Sequence, residues 1–212
     1  MGEATLAEIQ DSRDCLLYLV SPEKLDAKAF SPQLFAALKV GEGRIAGFLL
    51  HLPDTDDAAL VAASEILMPV CSANNVAFFL QDRPDLVAWL GADGVHLVHS
   101  RKSIGEVRTV VGKDTVIGIT AADGDQAMEA GNAGADYVAF DSAKTDLIDW
   151  WQECFVLPSL ALGEHKPEDV KTSVAAGADF IAASASIWNH PQGADVAVKQ
   201  FVAALTEALP SA

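Results

Sequence analysis

The residues able to do chemistry gather in a few short phrases. Gln81-Asp82-Arg83 sets a carboxylate beside a guanidinium. One oxygen of Asp82 can hold Mg2+ the way that ion is usually held beside a phosphorylated substrate. The same aspartate can instead cap the helix that Pro84 opens, a common use of Asp ahead of Pro. The phrase "HSRK" at 99–102 supplies His99, which can act as acid or base near neutral pH, with Arg101 and Lys102 as anion contacts. His51 is a second histidine of this type, whereas His96, between Val95 and Leu97, reads as a satisfied interior residue. In "ALGEHKPEDV" at 161–170, Gly163 lets backbone approach an anion and Lys166 adds charge. In "AASASIW" at 182–188, the small Ser184, Ala185 and Ser186 leave room for that anion; the alternative is a turn at Gly163 and a tightly packed strand end. Trp150 and Trp151 read as packing a helix end against the body of the fold, with a stacking platform as the other use.

These phrases need elements to position them. Gly-Ala-Asp occurs at 91, 134 and 177, in steps of 43 residues, each time between an alanine-rich segment and a short apolar run. A helix closed by a glycine in the left-handed conformation, followed by entry into a buried strand, accounts for all three. Another apolar run lies halfway between copies, giving about 21 residues per strand-plus-helix unit. Extended backwards, the pattern gives eight strand candidates: 15–21, 44–52, 75–81, 94–98, 115–120, 137–140, 154–162 and 180–184. They are continuous rather than alternating, as strands covered on both faces should be. Helix signals lie between them: an acidic start at Asp54–Asp57, capping-box spacing at Ser103 and Glu106, and Pro167 in a first turn.

Eight such units predict an α/β chain folded as a single (β/α)8 barrel over residues 1–212, in preference to an open doubly wound sheet of five or six strands. In a barrel the active site lies where strands run into the following loops. That rule brings His51, Gln81, Thr120 and Lys144 into the candidate substrate-binding set, and it makes loops 7 and 8 the candidate phosphate cradle.

The 212 residues carry a formal net charge of -16, which argues against nucleic acid or an anionic membrane as partner. A small phosphorylated metabolite remains compatible, because a local cluster of amides and cations can outweigh the global field. Cys15, Cys71 and Cys154 lie far apart without a CxxC pair, as reduced thiols of a cytoplasmic protein would. Glu3, Glu8 and Asp11 precede the first apolar run, so no secretory leader is expected. No membrane span is expected either, because the uncharged stretch 66–81 is interrupted by Pro69 and Asn74-Asn75. Whether copies of the chain form a homo-oligomer stays open.

Longer phrases carry a resemblance. "LYLVS" at 17–21, "FFLQDRPDLVAWLGADGVHL" at 78–97, "AGADYVAF" at 133–140, "LALGEHKPEDV" at 160–170 and "AGADFIAASASIW" at 176–188 are similar, in order and spacing, to the thiamine phosphate synthase and thiazole tautomerase (TenI) family. The resemblance covers most of the chain and implies a TIM barrel. It further implies a transferase of thiamine biosynthesis that joins a pyrimidine methyl pyrophosphate to a thiazole phosphate, with Mg2+ neutralising the leaving pyrophosphate. Asp82 stands where one metal-binding acid of the family is expected, and the second falls on Arg101. The family's cations after strand 2 fall on His51 and Pro53. Gln81 takes the place of an Asn and Thr120 of a Ser, and Lys144 lies in a shortened sixth loop. Glu164 replaces the second glycine of loop 7, and the loop-8 serine falls on Ala185. Asp82, Arg83, Arg101 and His99 are then the implied catalytic set, and the implied ligand is a small phosphorylated heterocycle. Two other readings stay open: a TenI-like tautomerase, needing neither pyrophosphate nor metal, and a non-catalytic barrel that binds a phosphorylated ligand.

Overall fold

Strands form where the apolar runs lie. The computed structural model describes residues 15–98 and 103–208. Its strands are β1 (Leu16–Val20), β2 (Ile45–Leu50), β3 (Ala77–Gln81), β4 (Gly94–Leu97), β5 (Val116–Thr120), β6 (Tyr137–Asp141), β7 (Ser159–Leu162) and β8 (Phe180–Ala183). Each pairs in parallel with its neighbour and β8 closes onto β1, so the sheet is a closed barrel. Around it run α1 (Ala27–Lys39), α2 (Asp57–Ser72), α3 (Pro84–Leu90), α4 (Ile104–Val111), α5 (Gly124–Asn132), α6 (Thr145–Cys154), α7 (Val170–Ala175), α8 (Ala185–Trp188) and α9 (Ala194–Ala208). This is the (β/α)8 barrel that the strand count predicts.

Helix starts follow the sequence signals. Asp56 caps α2, and Ser103 with Glu106 forms a reciprocal capping box on α4. One boundary differs from expectation. The seventh strand begins only at Ser159: Cys154 still belongs to α6, Phe155 stacks on Trp151 at 4.1 Å, and Pro158 has no N–H to contribute. Pro69 lies inside α2, and the chain turns after that helix at Asn75, whose φ is 55°.

The Gly-Ala-Asp phrase has a second function beyond ending a helix. Gly91, Gly134 and Gly177 have φ of 71°, 95° and 80°, where a side chain is strained, so the left-handed closure holds in all three copies. The aspartate then latches the strand it enters to the preceding one. Phe78 N–H donates to Asp93 Oδ2 at 2.7 Å, Ile117 N–H to Asp136 Oδ2 at 2.7 Å, and Ser159 N–H to Asp179 Oδ2 at 2.8 Å. In return, each aspartate N–H donates to the carbonyl of that same partner residue. Three strand pairs are therefore closed at their N-terminal ends by one repeated device.

Both faces of the sheet are buried. Outside, helix residues such as Phe30, Leu34, Leu67, Val107, Trp151 and Phe201 cover the strands. Inside, Tyr18, Leu49, Phe79, Tyr137, Leu160 and Ala182 fill the barrel. Strand glycines make room for the large rings: a Cβ on Gly118 would stand 1.9 Å from the Tyr137 ring, and one on Gly94 would stand 2.3 Å from Phe79. Trp151 packs on Phe140 as the sequence suggests, while its neighbour Trp150 is partly exposed. Cys15 and Cys71 are buried as free thiols, and burial pushes Cys71 up to about 12. No helix among the described residues is long and apolar enough to cross a membrane.

Candidate functional site

The C-terminal strand ends carry His51, Gln81, Asp82 and Thr120 at the exits of β2, β3 and β5, above a polar thread in the barrel. His96 is fully buried, with Nδ1 2.8 Å from the Tyr137 hydroxyl and Nε2 3.0 Å from Thr120 Oγ1. The Tyr137 hydroxyl is in turn 3.1 Å from that of Tyr18. Four side chains from β1, β4, β5 and β6 thus satisfy one another in an apolar interior, where unmade hydrogen bonds are costly. Burial, assisted by the nearby His51, lowers the His96 pKa to about 4, so the ring is neutral at pH 7 and has one donor and one acceptor nitrogen. His96 is the satisfied interior histidine the sequence suggested, and Thr120 is the end of the thread nearest the mouth.

At the β3 exit, Gln81 pairs in register with His96, and Asp82 adopts a left-handed backbone with φ of 53°. That turn keeps Asp82 from capping α3; the position falls to Arg83, which makes no side-chain cap. The Asp82 carboxylate reaches instead to the exit of the adjacent strand, where Oδ1 accepts from Val98 N–H at 2.8 Å, and Asp82 N–H donates to His96 O at 2.9 Å. The capping expectation is thereby corrected: Asp82 ties the exits of β3 and β4 together. A non-glycine residue in this conformation costs about 1 kcal/mol, a form of strain that clusters at functional sites.

Arg83 donates to Asp57 at 2.5 Å and to Asp85 at 3.0 Å, and these hydrogen bonds hold its guanidinium firmly charged. It is thereby drawn to two carboxylates at the starts of α2 and α3. His99, Arg101 and Lys102 lie outside the described residues. At β2, the His51 N–H donates to Ser21 Oγ at 3.0 Å, which joins the β1 and β2 exits. Lys144 is exposed and donates to Ala122 O at 2.5 Å, tying loop 6 to loop 5.

Loops 7 and 8 meet closely. Gly163 lies against Ser142; a Cβ there would stand 2.3 Å from Ser142 Oγ, so a larger residue would have to turn that hydroxyl away. His165 is buried: Nδ1 donates to Ala182 O at 2.8 Å, and Nε2 lies 3.0 Å from Ser173 Oγ. Lys166 is exposed at the start of the 3-10 turn Pro167–Asp169. The Glu164 carboxylate accepts from Ala185 N–H at 3.0 Å and from Ser186 N–H at 2.6 Å. Ser184 Oγ donates to Ser21 O at 3.3 Å, while Ser186 Oγ is buried without a hydrogen-bond partner among the described residues. A hollow beside Met68, Pro69, Asn75, Val76 and Gly91 lies at the opposite end of the barrel, and its carboxylate, Asp93, is already committed to Phe78 N–H.

Sequence reasoning missed the two tyrosines of the thread and the partners of Glu164. The chain has only two tyrosines, both inside strands, which is the one signal that a polar contact runs through the barrel.

Fold and mouth define a (β/α)8 barrel with its polar groups converging at the C-terminal strand ends. The chain belongs to the thiamine monophosphate synthase family, whose pattern matches residues 17–187. It is 42% identical over 201 residues to a thiamine-phosphate synthase of Rhodospirillum centenum, covering 89% of this chain and 96% of the relative. A thiamine-phosphate synthase of Erythrobacter litoralis is 38% identical over 196 residues, with 85% and 91% covered. A solved thiamine phosphate pyrophosphorylase from Pyrococcus furiosus shares the fold with a TM-score of 0.79 at 19% identity, over 93% of this chain and 99% of that one. The protein is thus thiamine-phosphate-synthase-like, as its resemblance implied.

Proposed function

We propose that the protein is a transferase that joins a pyrimidine methyl pyrophosphate to a thiazole phosphate. The bond between the pyrimidine methylene and the pyrophosphate oxygen breaks, the methylene bonds to the thiazole, and pyrophosphate leaves. The observation that carries this reading is the near full-length identity of 42% to a thiamine-phosphate synthase.

Mg2+ suits the residues present. Among the described residues no cluster of three metal-binding side chains occurs. Mg2+ beside a pyrophosphate needs only one or two carboxylates, the remaining ligands being substrate oxygens and water. Asp82, fixed at the mouth by Val98 N–H, is the carboxylate that would hold it. Bound there, Mg2+ would offset charge on the departing pyrophosphate.

The chain's own residues orient the reactants in this reading. Arg101 contacts the pyrophosphate, with Arg83 adding positive charge from the edge and His99 available for proton transfer. His51, Gln81, Thr120 and Lys144 line the substrate space. Gly163, Ser184, Ala185 and Ser186 form the subsite for the thiazole phosphate. Both substrates are small phosphorylated metabolites, and the cytoplasm is the proposed place of action.

The test is turnover of purified protein with both substrates, in Mg2+ and in chelator. Mg2+-dependent thiamine phosphate supports the reading. No product from folded protein removes it and leaves the tautomerase and binding-barrel readings to be assayed.

A further inference from the structure

The amides that the preceding reading gives to the thiazole phosphate are already holding an anion. Both oxygens of Glu164 are engaged, one by Ala185 N–H at 3.0 Å and the other by Ser186 N–H at 2.6 Å. Adjacent peptide N–H groups converging on one carboxylate form an anion-binding arrangement, and such charge-assisted bonds are short and strong. The fit is no accident of a loose loop. Next in sequence, His165 is buried and bonded through both ring nitrogens to β8 and α7. On the other side Gly163 is packed against Ser142. The backbone of Glu164 is therefore held between two fixed points, while its side chain is on an exposed residue and no ion pair holds it among the described residues.

A carboxylate has two acceptor oxygens, and a phosphate monoester has three. The Ser186 hydroxyl, on the residue whose amide Glu164 takes, is buried and makes no hydrogen bond among the described residues. The cradle is thus filled but not saturated by Glu164.

Resting on the phosphate-subsite reading, we propose that Glu164 is a built-in competitor for the substrate's phosphate. Its carboxylate takes the amides of Ala185 and Ser186, and a phosphorylated ligand binds only when that side chain swings out. The apparent affinity is then reduced by the fraction of molecules in which the cradle is open. Glu164 sets how strongly this barrel discriminates a phosphorylated ligand from its unphosphorylated counterpart.

The experiment measures binding of inorganic phosphate, thiazole phosphate and the unphosphorylated thiazole alcohol by calorimetry, using the full chain. Wild type, Glu164→Gly and Glu164→Gln are compared, with thermal unfolding as a check on folding. Glu164→Gly should bind both phosphate probes about tenfold tighter or more, with Glu164→Gln in between and the alcohol unchanged. If Glu164→Gly does not fold, the near-isosteric Glu164→Gln alone decides, and a gain of threefold or more is then required. Phosphate affinity that stays flat or falls in the variants overturns the proposal, and so does an equal gain for the alcohol. Turnover measured in parallel separates this from the synthase reading. Tighter phosphate binding without product in any variant leaves the competitor standing and removes the synthase. Product formation with the KM for thiazole phosphate unmoved by Glu164→Gly does the reverse.

Discussion

The His96 ring stacks on that of Tyr137, with centroids 5.7 Å apart and planes inclined by 20°, while its Nδ1 lies 2.8 Å from the Tyr137 hydroxyl. One pair thus combines a ring contact with a hydrogen bond at the centre of the barrel, and two consequences, for pH and for packing, can be measured.

Acid should destabilise the protein through His96. Its pKa falls from 6.5 to about 4 on folding, so between those values the unfolded chain binds the extra proton. Stability from this group is complete above pH 6.5 and is lost progressively as pH falls towards 4. From pH 7 to pH 5 the loss is about 2 kcal/mol. Denaturant melts at both pH values, compared with His96→Gln, should show the wild type losing more than the variant. Parallel losses would assign the pH dependence to other groups.

Gly118→Ala should disturb the same pair from the neighbouring strand. Its Cβ would stand 1.9 Å from the Tyr137 ring, which has no space to retreat in a filled interior. A destabilisation of about 1–3 kcal/mol is expected, as for other overpacked cores. Gly105→Ala is the control, since nothing lies within 4 Å of its Cβ position. Equal melting temperatures for the two variants would contradict the packing argument.

The repeated aspartates should contribute stability one by one. Asp93→Ala and Asp136→Ala each remove the acceptor for a strand N–H and should cost about 1–2 kcal/mol, whereas Asn keeps an acceptor oxygen and should cost less. Asp179→Asn should be the mildest change, because burial pushes that carboxyl above the ordinary range and a neutral side chain avoids the penalty. Urea midpoints of the Ala and Asn series settle the order.

Asp82→Asn separates charge from architecture. The amide oxygen can still accept from Val98 N–H, so the joint between β3 and β4 should persist with stability within about 1 kcal/mol. Mg2+-dependent turnover should fall roughly 100-fold or more, the scale on which loss of a preorganised charge acts on a reacting centre. Wild-type turnover in this variant would take Asp82 out of metal binding.

The barrel was legible because its signals are local and repeated: in three copies a glycine closes the helix and an aspartate enters the strand, and the apolar runs recur at even spacing. The mouth was legible only as a set of strand exits. Asp82 could not be read correctly, because its left-handed backbone, which turns the carboxylate from α3 to Val98, is fixed by contacts across two strands. The Glu164 cradle joins residues 21 and 22 positions apart that meet only once β7 and β8 lie side by side. The Tyr18–Tyr137–His96–Thr120 thread was hidden because continuous apolar runs do not reveal which residues face the axis.

The aspartate latches join β3 to β4, β5 to β6 and β7 to β8, so three quarters of the barrel each carry their own fastening at the base. The remaining quarter, β1 with β2, lies outside the Gly-Ala-Asp series and is closed by pairing with β8 and β3. Three of the four two-strand units thus have their fastening written inside their own stretch of chain. In each of those three the register of neighbouring strands is fixed by bonds between residues close in sequence, independent of the partners that close the ring.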